Sequence, residues 1–456
     1  MINKNIMEIV QMVSGDYSGV RGAFNITGVT INSKAVVKGN LFIPIIGEKF
    51  NGHEFVKDAI NNGAKASLWQ RSQPSPPVNI PLIYVDDTLL ALQDLAKNYL
   101  DQLSVKVIGI TGSNGKTTTK DIVASVVGTT YKVQKTEGNL NNHYGLPLTI
   151  LQLEEDTDIA VLEMGMSSKG EIELLSKLAR PEAAIITNIG EAHLLDLGSR
   201  EGIAEAKLEI VEGLKDDGIL IYNGDEPLLN ERLAGKKIHK VSFGSRGEND
   251  YIPTAIKQEN DGTYFTINKT QNNEFFIPIL GRHNVFNTLA AVAVARYFNV
   301  TWENIDIGLK KLTVTTMRLE VTEGKNGLKI INDAYNASPT SMIAAIDLIR
   351  DVKGYSKKLI VFGDMLELGP NEVKFHEQIG KSLNPEIVDY VYTFGELATH
   401  IAEAARGSFD EGRVKAFTDK SLLIEAVLMV AASNDIILIK GSRGMKLEEV
   451  ATALKK

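Results

Sequence analysis

The residues best suited to chemistry lie together between Gly112 and Thr118, where the chain reads GSNGKTT. Before them, five of the seven positions from Val105 to Thr111 are Val, Ile or Thr, a buried-strand composition, and Lys116 opens a helical pattern. A strand, a glycine loop and a helix follow one another. In such a turn the N–H groups of Gly112, Ser113, Asn114, Gly115, Lys116, Thr117 and Thr118 are directed at an anion, aided by the positive end of the helix. Lys116 would reach the terminal phosphates of ATP and the Thr117 hydroxyl would hold Mg2+. The common phosphate loop has four residues between its glycines, whereas Gly109 and Gly115 enclose five, so the chain carries the shorter TGxxGKT form.

Further chemistry-bearing residues follow strand-like runs. Glu163 ends AVLE, where a carboxylate can hold magnesium against nucleotide phosphates. His193 follows the next strand in NIGEAH, as a metal ligand, a phosphate contact or a polar loop residue. Lys207 is the least expected residue: it sits in the apolar stripe Ile203, Ile210, Val211, Leu214, and an inward lysine needs a partner. Either it snorkels or pairs with an acid such as Glu171 or Glu209, or, desolvated and partly neutral, it has a chemical role. Asn141 and Asn142 lie in GNLNN, where asparagines orient phosphates or amides, or simply make turns. Arg318 lies where a hinge would let it swing onto phosphates, and Asp333 ends a strand where it could take ribose hydroxyls. Lys440, Ser442, Arg443 and Lys446 cluster around two glycines as a pocket for a substrate carboxylate, or as a solvated basic turn.

The elements that must position these residues are those of an α/β protein in three domains. At 456 residues, roughly 150 residues per domain gives about three. Residues 1–103 form a small α/β unit that begins with an amphipathic helix, MINKNIMEIVQMVSG, and ends on a helix from Leu89 to Leu100. Residues 104–313 alternate short apolar strands with helices, apart from antiparallel hairpins in 251–280 and a helix over 281–298. Residues 314–456 form a second doubly wound sheet, with Ser338 and Pro339 starting a helix. Ligands belong beyond the carboxyl ends of such strands.

Bulk properties narrow the function. The absence of cysteine excludes disulfides, thiolate metal sites and cysteine nucleophiles. A net charge of −8 argues against general nucleic-acid binding. No apolar run approaches about 18 residues, and the first residues lack a signal peptide's apolar core, so the expectation is a cytoplasmic protein without a membrane span.

Taken together, TGSNGKTTTK, GNLNNHYGLP, EMGMSSKGEI, TNIGEAHL with AKLEI, GRHNVFNTLAA, NDAYNASP, GDMLELG and KGSRGMKLEEV resemble the Mur ligases of peptidoglycan synthesis over essentially the whole chain. NDAYNASP, GDMLELG and KGSRGMK are particular to the branch that adds D-alanyl-D-alanine to UDP-N-acetylmuramoyl-tripeptide. The resemblance implies a central P-loop ATPase-like parallel sheet, a C-terminal Rossmann-like domain and an N-terminal domain holding the UDP part of the substrate. It implies that Lys116 and Thr117 hold the ATP phosphates and Mg2+, with Glu163 and His193 as further metal contacts and Lys207 carbamylated by carbon dioxide. Asn284 and Asn287 match the adenine-side motif, Arg318 and Asp333 the phosphate and ribose contacts, and Asn336 belongs with the substrate-side residues of NDAYNASP. Ser33 and Lys34 match the UDP-substrate segment, although Asn32 and Lys34 stand where the family often has Asp and Arg, so the charge is kept without the planar fork. The implied chemistry is an acyl-phosphate ligation by a monomer. Other readings are a different Mur-type ligase, a folylpolyglutamate-type ligase, or a non-catalytic ATP-binding switch. The chain has no DxRxP motif of the branch adding the third peptide residue, a folate enzyme would not be expected to carry this first domain, and a switch would not need Glu163, His193 and Lys207 together.

Overall fold

The computed structural model describes residues 1–19, 24–271 and 273–455. Its centre is a six-stranded parallel sheet in the order His239–Phe243, Ile219–Asn223, Ala183–Ile186, Lys106–Thr111, Ile159–Glu163, Val133–Lys135. Alternation along the inner strands divides them between two cores. Val107, Ala160, Leu162, Ala184, Ile186 and Leu220 face one core; Ile108, Ile110, Val161, Ile185 and Ile221 face the other. Both faces are therefore covered, and the strands read as continuous apolar runs. The strand Lys106–Thr111 lies between the two later strands that pair with it, so the chain leaves it to opposite sides. That divergence opens a crevice at its carboxyl end, where the glycine loop begins.

The first domain has a five-stranded sheet, Asp16–Ser18, Leu82–Val85, Ala66–Gln70, Leu41–Phe42, Val29–Thr30, parallel except at its first strand. Its helix Thr88–Leu100 extends the core on one face of the central sheet, and the Tyr99 hydroxyl donates to the Leu153 carbonyl at 2.8 Å. The opening residues depart from a single amphipathic helix. Asn3–Asn5 is a strand paired with Asn25–Thr27, and the helix is Ile6–Met12. Asn5 accepts the Met7 N–H while Glu8 accepts the Asn5 N–H, a capping box that fixes the start there.

The third domain has the order Glu320–Glu323, Lys329–Asp333, Ile436–Lys440, Lys358–Gly363, Tyr390–Phe394, Val414–Phe417, with only the first strand antiparallel. Three strands not singled out from the sequence, His239–Phe243, Glu320–Glu323 and Val414–Phe417, are all at sheet edges. They are partly exposed and so lack the apolar runs of the inner strands. The lysine-bearing helix also differs from its sequence reading. It ends at Leu208 and continues as a tighter turn, Glu209–Gly213, because buried Ser176 donates to the Ile210 carbonyl and accepts the Gly213 N–H.

Candidate active site

Glycine conformation builds the loop. Gly115 precedes the helix Lys116–Val127 with φ +79 and no side-chain cap, leaving the first N–H groups of the helix to a ligand. Gly112 has φ +149, and a Cβ there would fall 1.8 Å from the Thr187 hydroxyl. Thr187 and Asn188, which follow the neighbouring strand, hold the loop in place. The Asn114 N–H donates to Asn188 Oδ1 at 2.9 Å, and the Asn114 carbonyl accepts from Thr187 Oγ1 at 2.6 Å and Asn188 Nδ2 at 3.0 Å. Ser113 is turned to the same task, its hydroxyl accepting the Gly190 N–H. Thr187 and Asn188 were not anticipated, although TNIG directly after a buried strand was a signal.

Lys116 folds back so that its ammonium donates to the Gly112 carbonyl at 2.7 Å. Burial lowers its pKa, opposed by Glu163 and reinforced by Arg318. The Thr117 hydroxyl donates to Glu163 Oε2 at 2.9 Å, and Asn141 Nδ2 donates to Glu163 Oε1 at 2.8 Å. The Arg318 guanidinium crosses from the third domain to within 3.4 Å of Thr117 Oγ1 and lies 4.0 Å from the centre of the Tyr335 ring. Its Nε is buried with no hydrogen-bond partner among the described residues. Thr117 and Glu163 offer hard oxygen donors beside the loop, a set that suits Mg2+. No group of three or more His, Asp or Glu side chains able to hold a metal exists among the described residues, so phosphate oxygens and water would complete the shell of such an ion.

Lys207 is 1% exposed. Both acids considered as its partners are engaged elsewhere: Glu209 accepts the Gly170 and Glu173 N–H groups, and Glu171 accepts the Ser167 N–H. Among the described residues Lys207 makes no hydrogen bond or ion pair. Burial, with Lys116 adding to it, pushes its pKa well below the ordinary lysine value, toward a neutral amine. His193 has φ +62, and its Nδ1 lies 3.1 Å from Glu367 Oε2 of the third domain. Burial and Lys116 lower the pKa of His193, while Glu367 raises it.

Between the central and third domains is a cleft of about 200 Å³ lined by Asn114, Gly115, Thr118, Asn284, Asn287, Arg318, Asp333, Asn336 and Lys440. Asn287 Nδ2 donates to Asn284 Oδ1 at 3.0 Å, and Asn284 Nδ2 donates to the Leu280 carbonyl. His283 also lines the cleft; it was not anticipated, although it lies within GRHN. Burial takes its pKa down to about 4. The helix Pro339–Asp351 closes the cleft from above, with Ser338 Oγ donating to Asn114 Oδ1 at 3.3 Å and Thr340 Oγ1 donating to Glu191 at 2.5 Å.

Other residues separate. Lys440 is buried against Asp333 at 2.6 Å, so it sits on the nucleotide-cleft side. Ser442 accepts the Leu366 N–H, and partly exposed Arg443 pairs with Glu448 at 2.7 Å. The three have different partners, and Arg443, at the start of the turn Arg443–Met445, also donates to Met317 Sδ at 3.2 Å. Asn142 makes turn chemistry, accepting the Tyr144 and Gly145 N–H groups, whereas Asn141 reaches Glu163. Ser33 and exposed Lys34 stay in the first domain, on a short turn capped by Asn32.

A phosphate loop facing an arginine and an aspartate from a second doubly wound domain defines a three-domain, nucleotide-using ligase fold, and the chain belongs to the Mur ligase family. Residues 25–100 match the Mur ligase family catalytic domain, 110–295 the Mur ligase middle domain, and 317–443 the Mur ligase glutamate ligase domain. The chain is 53% identical to the UDP-N-acetylmuramoyl-tripeptide--D-alanyl-D-alanine ligase of Bacillus subtilis, over 100% of this chain and 99% of that protein. It is 33% identical to the ligase of the same name from Escherichia coli, with the same coverage. Among solved structures, MurF from Acinetobacter baumannii superposes with a TM-score of 0.90 at 30% identity, covering 100% and 99% of the two chains. The MurF ligase of Thermotoga maritima in complex with ADP superposes at 0.82 and 31% identity, covering 94% and 97%.

Proposed function

We propose that this protein is an ATP-dependent ligase that joins D-alanyl-D-alanine to UDP-N-acetylmuramoyl-tripeptide, giving the pentapeptide precursor of peptidoglycan. The observation that carries this reading is the approach of Arg318, from the third domain, to Thr117 at the point where Thr117 meets Glu163. Phosphates held there lie between two domains, which is what a transferred phosphoryl group enclosed from water requires.

The tripeptide's terminal carboxylate oxygen attacks the γ-phosphorus of ATP in line, the bond to the bridging oxygen breaks, and ADP leaves. Lys116, Arg318 and the N–H groups at the helix start, left free because those of Ser113 and Asn114 are held by Asn188, offset the charge on the phosphoryl oxygens. The D-alanyl-D-alanine amine then attacks the acyl carbon, and the tetrahedral intermediate expels phosphate as the nitrogen loses its proton. Asn284 and Asn287 take the adenine side, and Asp333, balanced by Lys440, the ribose. Thr117, Glu163 and His193 would hold Mg2+, and a carbamylated Lys207 would join them; the ion would supply further positive charge to the phosphates. A carbamate forms from a neutral amine and carbon dioxide, and burial without a partner favours that form of Lys207. Ser33 and Lys34 would contact the UDP moiety in the first domain, and Asn141 and Asn336 the peptide side. No helix among the described residues is long and apolar enough to cross a membrane, and the proposed site of action is the cytoplasm, where ATP is supplied.

The test is phosphate release with ATP, magnesium and D-alanyl-D-alanine, using tripeptides ending in lysine and in diaminopimelate in parallel. Release that requires both substrates, with a pentapeptide product by mass, is expected. Silence with both tripeptides and turnover on a different amino acid or on folate would overturn the assignment of substrate.

A further inference from the structure

The GDMLELG segment has a place in the family resemblance but no role in the chemistry above. In the structure it is a braced finger directed at the central domain. Asp364 accepts the Ala398 N–H at 2.7 Å, the Met365 N–H donates to His376 Nε2 at 2.9 Å, and the Leu366 N–H donates to Ser442 Oγ at 2.9 Å. His376 is buried, and its Nδ1 donates to the Glu372 carbonyl, which fixes the acceptor role of Nε2. Three successive residues are thus pinned, and the fourth, Glu367, projects. The Glu367 carbonyl accepts the Leu195 N–H at 3.3 Å, and its carboxylate lies 3.1 Å from His193 Nδ1. His193 Nδ1 is buried and has no aligned hydrogen bond in the described structure, so the Glu367 carboxylate is close in distance but off line. Both residues are left-handed, at φ +62 for His193 and +65 for Glu367, a conformation that is uncommon outside Gly, Asn, Asp and His and is therefore unusual for Glu367. Two left-handed residues from different domains therefore meet each other.

We propose that Glu367 is a positioning residue for His193, its carboxylate turning into line to accept from Nδ1 when the site is loaded and so leaving Nε2 for the site, and that this contact exists only when the third domain is docked. The proposal rests on the reading of His193 as a residue of the metal and phosphate site. A carboxylate behind a ligating histidine fixes the tautomer and ring orientation. Its delivery by the third domain makes that orientation conditional on closure.

The experiment is titration of Mn2+ into the full-length protein saturated with ADP, followed by electron paramagnetic resonance of the free ion. The proteins are wild type, Glu367→Ala, Glu367→Gln, Glu367→Gly, His193→Ala and the double Ala variant. Loss of Glu367 is expected to weaken Mn2+ binding by ~10–100-fold, the range for lost outer-shell partners, with metal-free ADP binding unchanged. Glu367→Gln is expected to recover part of the affinity through its acceptor oxygen, and Glu367→Gly, which suits the left-handed backbone, to match Glu367→Ala. The double variant should bind no more weakly than His193→Ala alone. Wild-type affinity in Glu367→Ala and Glu367→Gly, or full additivity in the double variant, overturns the positioning role while leaving His193 in the site. An unchanged affinity in His193→Ala overturns the reading of His193 and the proposal with it.

Discussion

Lys207 is the residue whose surroundings say most about chemistry. A buried lysine with no counterion is a cost that folding bears only if the amine is neutral or is converted. Its folded pKa lies below the unfolded value, so between the two the unfolded chain binds more protons and stability rises with pH. Replacing it with Met removes that penalty. In CO2-free buffer, Lys207→Met is expected to melt above wild type at neutral pH, with the gap closing as pH rises toward 10.5, the ordinary lysine value; calorimetry across that range checks it. The same variant is expected to lose ligase activity and, with 13C-bicarbonate, the carbamate resonance. His53 is likewise buried. Its Nε2 accepts the Gln70 N–H while Nδ1 faces Asn51 Oδ1, and burial takes its pKa from 6.5 to about 4. A depressed histidine pKa means that stability is lost as pH falls through that window. Urea melts of His53→Gln between pH 4 and 6.5 should show a flatter pH dependence than wild type.

At the level of elements, the glycine loop is decided by what touches it. Gly115 is left-handed, and a Cβ there would sit 2.6 Å from Asn287 Oδ1 on the helix Arg282–Tyr297. Gly138 is also left-handed, at φ +56, but faces open space. Alanine at either position is expected to cost ~1–2 kcal/mol through the backbone. Only Gly115→Ala should also displace Asn287 and weaken ADP binding. Equal ADP affinities by calorimetry would show that the Asn287 contact is irrelevant to the nucleotide. The glycine pattern was legible in the sequence because the loop is contiguous. The staples at Thr187 and Asn188 come from a neighbouring strand some 70 residues away in the chain, and only strand order brings them in.

Over the whole molecule, the third domain completes the site. The linker is held by Asp121, whose Oδ2 accepts both the N–H and hydroxyl of Thr315 at 2.8 Å. Beyond it Met317 and Leu319, on either side of Arg318, are both left-handed. Arg318 thus stands on a strained hinge, stacked on Tyr335 and directed at Thr117. Arg318→Lys keeps the charge but loses the planar stack, so kcat is expected to fall ~10²–10³-fold with the KM for the UDP substrate little changed. A large rise in that KM with kcat retained would place Arg318 in substrate binding instead.

What could be read from the residues alone is what is local. A glycine loop between strand and helix, carboxylates and amides at the ends of apolar strands, and the capped start at Ser338 all depend on residues within a turn or two of one another, where backbone geometry and periodicity act directly. Inner strands were legible for the same reason, since burial on both faces writes an unbroken apolar run. The tertiary structure alone decided which distant groups meet. Lys440 pairs with Asp333 across 107 positions, whereas Arg443 pairs with Glu448. Glu367 reaches His193, and neither acid near Lys207 turns to it. Those pairings depend on the order of strands and the docking of one domain on another, and a charged side chain carries the same letter whether its partner is a counterion, a backbone amide or nothing.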